Sequence, residues 1–146
     1  MTGVRRHGRE KALQLLMSLE SGGDPDAVAR DYWSGTGGSP SLQKFANRLF
    51  QGAAAELPAS DPLITDALQH WKIERLSPVD RNLMRLAIYE LRCCPDVPPR
   101  VVLNEYIEIA KKYGETRSSS LINGVLDRIY KQLQTAAAPV AEGAAS

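Results

Sequence analysis

Apolar residues recur at steps of three and four along most of the chain. In the clearest case Leu42, Phe45, Leu49 and Ala53 fall on one side of a helix. No stretch alternates apolar and polar residues for long enough to predict a strand. The pattern therefore predicts an all-α protein of about seven helices. Their expected ranges are 4–21, 25–33, 40–57, 61–71, 78–92, 99–113 and 118–134.

Capping residues, prolines and glycines mark the predicted helix ends. Asp61 and Ser77 each precede a proline, so a capping side chain stands before a residue that suits the first helical turn. Gly114 follows the sixth helix and is expected to end it in the left-handed conformation. Gly124 lies inside the last helix, where glycine costs about 1 kcal/mol relative to alanine. That cost favours a close crossing with another helix at Gly124.

The helices are expected to form two small helical bundles within one domain. Residues 1–134 make up the domain, with a three-helix subdomain over 4–57 and a C-terminal helical subdomain over 61–134. The segment 57–60, "LPAS", is the predicted seam between them. The tail 135–146 has no bulky apolar period, and its composition predicts disorder.

The chain is nearly neutral, with 18 basic and 17 acidic side chains. No stretch approaches the about 20 consecutive apolar residues that span a bilayer, and no apolar segment follows the basic N-terminus as in a signal peptide. Adjacent Cys93 and Cys94 suit neither a disulfide nor a metal site, and they predict two reduced thiols. We therefore expect a cytoplasmic protein without membrane contact.

The sequence lacks the residue clusters that are typical of enzymes. His7 and His70 are the only histidines, and neither has an acid or a thiol at a spacing that suggests metal ligation or a catalytic triad. The segment "GTGG" follows no predicted strand and lacks the lysine of a phosphate-binding loop. We expect no catalysis, no cofactor and no bound metal.

The basic segment "RRHGREKA" stands out against this neutral background. Arg5 and Arg9 are four residues apart and share one helix face, with Arg6 beside them. The rest of the helix is amphipathic, so its later half is expected to be buried while its start presents charge. Arginine binds phosphates and stacks on bases better than lysine does, which favours RNA as the ligand. A merely solubilising N-terminus is the alternative.

A second polar cluster lies on the predicted helix in "SPVDRNLMRLAIYEL". Its polar side chains are Asp80, Arg81, Arg85 and Glu90, spread around the surface that the apolar residues leave. Salt bridges within the protein would explain them, and so would a surface that binds a partner. The spacing does not decide between the two.

Three segments in this order and spacing resemble the C-terminal half of the NusB family of bacterial transcription antitermination factors. They are "LSPVDRNLMRLAIYEL", "DVPPRVVLNEYIEIAKKYG" and "INGVLDRI", within residues 61–134. The basic start followed by "ALQLL", within 4–20, is similar to the arginine-rich first helix of the family. Between these ranges only the expected helical architecture is similar.

The resemblance implies an all-helical, non-enzymatic protein that acts in transcription. NusB-like proteins form a heterodimer with NusE, a protein of the small ribosomal subunit. The pair binds the boxA element of nascent RNA and helps RNA polymerase to read through terminators and to transcribe ribosomal RNA. Carried over by position, Arg5, Arg6 and Arg9 would bind RNA, and Asp80 and Arg85 would lie near the RNA and NusE surface.

The chain departs from the family pattern at three predicted RNA-binding positions. Met17 and Leu121 stand where many members carry aromatic residues, and Arg117 replaces a common acidic residue. Stacking on an aromatic ring is worth about 1–3 kcal/mol per base. The two replacements thus predict boxA binding weaker by an order of magnitude or more, which the extra cation of Arg117 would partly offset.

Two other functions fit parts of the sequence. A protein-binding module, or a homodimer, that has lost RNA specificity would explain the apolar Met17 and Leu121. The RNA-guiding domain of a ribosomal RNA cytosine methyltransferase would need a catalytic domain after Ser146.

Overall fold

A computed structural model of the chain describes residues 2–69 and 71–145, with side chains over 3–69 and 71–136. The described residues form seven α-helices and no strand, which confirms the predicted all-α fold. His70, one of the two histidines, lies outside them. A 3-10 turn, Ile73–Arg75, precedes the fifth helix. The helices are α1 (Thr2–Leu19), α2 (Pro25–Thr36), α3 (Pro40–Ala55), α4 (Leu57–Leu68), α5 (Pro78–Cys93), α6 (Pro99–Tyr113) and α7 (Ser118–Ala145).

Helix α5 lies at the centre of the fold and contacts α1, α3, α4, α6 and α7. Its buried residues include Leu83, Leu86 and Ala87, which the helical period of the sequence placed on one face. One continuous apolar core runs from Ala12 in α1 to Ile129 in α7. The division into two subdomains remains a prediction, because both would share this core.

The predicted cap at Ser77 is confirmed, and the predicted cap at Asp61 is wrong. The Ser77 hydroxyl accepts a hydrogen bond of 3.1 Å from the Asp80 amide. Helix α4 begins earlier than predicted, at Leu57, so Pro62 lies inside it. Pro58 already supplies a proline for the first turn, and Asp61 pairs with an arginine of α5 instead. The expected seam is reduced to the single residue Glu56 between α3 and α4.

Two glycines have roles that differ from the predicted ones. Gly114 ends α6 with φ −88° and ψ −177°, which is extended and not left-handed. A side chain there would come within 2.8 Å of the Ala110 carbonyl oxygen and 2.5 Å of Ser118, so close packing explains the glycine. Gly124 is exposed, with no atom within 4 Å of the position of a Cβ. The expected close helix crossing at Gly124 is therefore wrong.

Helix α7 is longer than predicted. It continues from Ser118 to Ala145, whereas the sequence predicts its end near 134 and a disordered tail beyond it. The extra length begins with Thr135 and three alanines, and alanine has the highest helix propensity. Side chains beyond 136 lie outside the described part, so the disorder of the tail remains a prediction.

Candidate nucleic-acid interface

The arginine-rich start of α1 packs against α3 through a glycine. Gly8 is buried, and a side chain at this position would clash with the Phe45 ring. The guanidinium carbon of Arg5 lies 5.6 Å from the centroid of that ring, and the corresponding carbon of Arg9 lies 5.8 Å from it. Phe45 thus fills the gap left by Gly8 and contacts an arginine on either side through cation–π geometry.

Arg9 is part of a buried network and does not lie at the surface. It is 2% exposed and donates two hydrogen bonds to Glu90, of 2.7 and 2.8 Å. The Tyr106 hydroxyl donates to the same carboxylate. Burial disfavours the charged guanidinium, but the bonds to Glu90 outweigh it and keep the pKa of Arg9 above its usual value. Arg9 therefore holds α1 against α5 and α6.

Two predicted roles are corrected by this network. Arg9 was expected to bind RNA, and Glu90, which is 1% exposed, was expected to bind a partner. Both are enclosed because they lie where α1 packs against α5. A buried charge requires a partner, and each supplies the charge of the other.

Arg6 is at the surface but is already paired. Its guanidinium makes a bidentate contact with Glu105 of α6, with distances of 3.0 and 2.8 Å, and its side chain is 38% exposed. Hydrogen bonding from Arg6 lowers the pKa of Glu105. A nearby phosphate would therefore meet a partly neutralised cation.

Arg5 is exposed, and no carboxylate of the described side chains lies within salt-bridge distance of it. It lines a cavity of about 240 Å³ between the start of α1 and the loop before α6, together with Val97 and Val101. Asp96 also lines this cavity. Arg5 is the arginine of this segment whose charge is most available to a polyanion.

The start of α5 carries a second group of paired arginines. Arg81 donates to Glu20 at 2.7 and 2.9 Å and to the Leu76 carbonyl oxygen at 2.8 Å. Arg85 donates to both carboxylate oxygens of Asp61 at 2.8 Å and to Glu20 at 3.0 Å. Hydrogen bonding from Arg81 lowers the pKa of Glu20. Each of the two arginine side chains is less than a sixth exposed, so the cluster is largely built of internal salt bridges.

The other predicted site residues differ in exposure. Asp80 is 7% exposed, and its Oδ1 has no hydrogen-bond partner among the described residues. Met17 and Leu121 are half-buried and pack against the core, which limits the surface they offer to a base. Arg117 is exposed at the turn between α6 and α7.

The predicted arginines of α1 and those of α5 lie at opposite ends of α1. Helices α1 and α5 run antiparallel, since Arg9 meets Glu90 whereas Glu20 meets Arg81. Position 6 lies thirteen helical steps before Leu19, the last residue of α1, or about 20 Å at 1.5 Å per residue. The arginines of α1 and those of α5 therefore do not form one continuous patch.

Sequence reasoning missed the carboxylates that neutralise the predicted cations. Glu20, Asp61 and Glu105 are far from their arginine partners in the chain. Among the described residues no group of three or more histidines, cysteines or acids is placed to hold a metal ion. No described helix is both long and apolar enough to span a membrane.

A sequence model of the NusB family matches residues 6–131. The transcription antitermination protein NusB of Sorangium cellulosum is 44% identical over 133 residues, which cover 90% of this chain and 94% of that protein. The chain belongs to the NusB family. NusB of Myxococcus xanthus, at 40% identity, covers 87% of this chain and 94% of its own length.

Solved NusB structures share this fold. The T. maritima NusB structure has a TM-score of 0.79 and 37% identity, covering 87% of this chain and 90% of that one. A NusB chain solved in complex with NusE and double-stranded RNA has a TM-score of 0.79 and 26% identity, covering 90% and 99%. The resemblance predicted from the sequence segments is confirmed.

Proposed function

We propose that this chain is an RNA-binding transcription antitermination factor that pairs with NusE and binds boxA RNA. Such a factor supports terminator read-through and ribosomal RNA transcription, without catalysis and in the cytoplasm. The observation that carries the proposal is the exposed Arg5 and the half-exposed Arg6 at the start of α1 in a NusB-family chain. The structure of another NusB with NusE and RNA supports the choice of partners.

The rigid helix that carries Arg5 and Arg6 favours phosphate binding. The next turns of α1 are anchored in the core by Ala12, Leu13 and Leu16, each at most 2% exposed. The backbone that carries Arg5 and Arg6 is therefore fixed before RNA arrives. A preorganised cation loses less conformational freedom on binding than one on a mobile tail does.

The test is binding of fluorescently labelled boxA RNA, measured by anisotropy at physiological salt, with and without NusE and against a scrambled RNA. We expect boxA to bind more tightly than the scrambled RNA and NusE to tighten it further. Arg5→Ala combined with Arg6→Ala should weaken binding and flatten its salt dependence. Arg75→Ala, which removes an exposed arginine of the 3-10 turn, is the matched control. Equal binding of both RNAs, with or without NusE, would refute the proposal.

A homodimeric or purely protein-binding module is the second candidate. Val4, next to Arg5 in the sequence, is 57% exposed. Val101, which lines the same cavity as Arg5, is 43% exposed. Apolar side chains of this size suit a protein contact better than a phosphate contact. Light scattering over a range of concentrations tests this candidate, which requires a mass of twice 16.0 kDa.

The hypothesis that this chain is the RNA-guiding domain of a methyltransferase has less support. The S. cellulosum relative is an antitermination protein, and this chain matches 94% of its length. A match to the RNA-guiding domain of an enzyme would instead leave a large part of the relative uncovered.

A further inference from the structure

Two tyrosines and two lysines from three helices form a surface beside the arginine-rich start of α1. We call Lys11, Tyr32, Lys112 and Tyr113 the lysine–tyrosine surface. The Lys11 ammonium lies 5.9 Å from the centroid of the Tyr32 ring, and the Lys112 ammonium lies 5.1 Å from that of Tyr113. Tyr113 is 38% exposed, so part of its ring is open to a ligand.

Polar contacts fix this surface to α1. The Tyr32 hydroxyl donates to the Gln14 side chain, and its ring meets Trp33 edge-on at 4.9 Å. Lys112 donates to Glu10 at 3.2 Å. Burial raises the pKa of Tyr32, and the nearby Tyr113 adds to the rise. The tyrosines therefore belong to one surface and are held in place before any ligand binds.

The surface continues the row of cations at the start of α1. Helices α1 and α6 run in the same direction here, since Arg6 meets Glu105 whereas Glu10 meets Lys112. The lysine–tyrosine surface begins about one helical turn past Arg6 along the contact between α1 and α6. Lys11 has no carboxylate partner among the described side chains. The contact between α1 and α6 thus places the half-buried Lys11 and the exposed Lys112 beside aromatic rings.

We propose that the lysine–tyrosine surface stacks unpaired bases of the RNA whose phosphates Arg5 and Arg6 bind. This inference rests on the proposed function. Aromatic rings beside a row of cations are the features that bind single-stranded nucleic acid, because every base has a face to stack and every nucleotide has a charge. Bases within a duplex do not offer these faces, so the ligand is single-stranded. The tyrosines supply the stacking that Met17 and Leu121 do not.

The first test compares Tyr113→Leu and Tyr113→Phe in the full chain. Tyr113→Leu removes the ring and should weaken binding of single-stranded boxA RNA about fivefold to a hundredfold. Tyr113→Phe keeps the ring and should bind as the unaltered protein does. Tyr130→Leu, a half-buried tyrosine of α7 outside this surface, is the matched control and should leave RNA binding unchanged. Because Tyr113 is exposed, circular dichroism should show an intact fold.

A second test separates stacking from charge. Lys11→Gln, which removes the lysine of this surface that has no carboxylate partner among the described side chains, should lower the slope of log affinity against log salt by about one, whereas Tyr113→Leu should leave that slope unchanged. Lys131→Gln removes a lysine that pairs with Asp127 on α7 and is the matched control. An RNA of the same length without bases should bind Tyr113→Leu and the unaltered protein equally.

The outcomes distinguish this inference from the proposed function. If the unaltered protein binds boxA RNA and Tyr113→Leu binds it equally well, the lysine–tyrosine surface is not a base-binding site and the proposed function stands. If Tyr113→Phe loses as much affinity as Tyr113→Leu, the hydroxyl matters and stacking is refuted. If the unaltered protein binds no RNA, the proposed function itself fails.

Discussion

The starts of α1 and α5 both carry arginines opposite glutamates, yet they differ in what they leave exposed. At α1 the three arginines are graded: Arg9 is 2% exposed, Arg6 is 38% exposed and paired, and Arg5 is exposed with no carboxylate partner among the side chains that the structure describes. At α5 the two arginines face two carboxylates and are both largely covered. A basic run in a sequence therefore shows how many cations there are, and not how many a ligand can reach.

The physical cause is where the carboxylates lie. Glu90 is buried under α1 and must pair with a buried cation. Glu20, just past the end of α1, reaches Arg81 and Arg85 at once. The α5 cluster is thus neutral in the free protein, while the α1 start keeps an unneutralised charge for a polyanion.

The largest expected effect comes from removing the buried cation at α1. Arg9→Met leaves Glu90 buried without its partner and should lower the free energy of unfolding by about 3–5 kcal/mol, measured by urea denaturation. Arg92→Met breaks the surface pair with Glu56 and, as the control, should cost at most about 1 kcal/mol. Adding Glu90→Gln to Arg9→Met should restore part of the loss. A cost for Arg9→Met as small as that for Arg92→Met would mean that Arg9 is not a structural arginine.

The next largest effect on stability comes from Gly8, which lies between Arg5 and Arg9 and packs against Phe45. Gly8→Ala forces a methyl group against Phe45 and should destabilise the protein by about 1–3 kcal/mol, as overpacking does. Gly124→Ala makes the same change in a helix with open space around it and should stabilise by up to about 1 kcal/mol. Thermal unfolding of both variants measures the difference. Equal effects would contradict the close contact of α1 with α3.

The α5 cluster should respond more weakly, and through pH. Glu20→Gln removes the shared carboxylate and should cost about 1 kcal/mol near pH 7, since the site is half-buried. The lowered pKa of Glu20 means that its contribution is present above the unfolded value near 4.5 and is lost as pH falls through the folded value. The variant should therefore lose less stability than the unaltered protein between pH 5 and pH 3, in urea titrations. Glu74→Gln, at an exposed residue of the 3-10 turn, should keep the original pH dependence.

The smallest effect separates Arg5 from Arg6 in RNA binding. Arg5→Ala should weaken boxA binding a few-fold and reduce the salt slope by about one, as expected for loss of one phosphate contact. Arg6→Ala should change the slope less, because Glu105 already neutralises Arg6. Glu105→Gln should then strengthen binding, which anisotropy at several salt concentrations would show. If Arg6→Ala has the larger effect, Glu105 does not hold Arg6 when RNA is bound.

The fold was predictable because helical periodicity and capping are local properties. Ser77 caps α5 as predicted, and Leu83, Leu86 and Ala87 are buried as the period requires. The start of α4 was predicted wrongly because two prolines each suit the first turn of a helix. Both Pro58 and Pro62 suit a first turn, and α4 begins at the earlier one.

The sequence by itself determined the helices, the NusB family and the presence of an arginine-rich start. Only the tertiary structure decided that Arg9 is enclosed, that Arg6 is shared with Glu105 and that Arg5 is exposed. Periodicity fixes which residues share a helix face, because it depends on neighbours three or four positions away. The charge that a ligand meets depends instead on carboxylates brought from 81 to 99 positions away, and no local pattern records them.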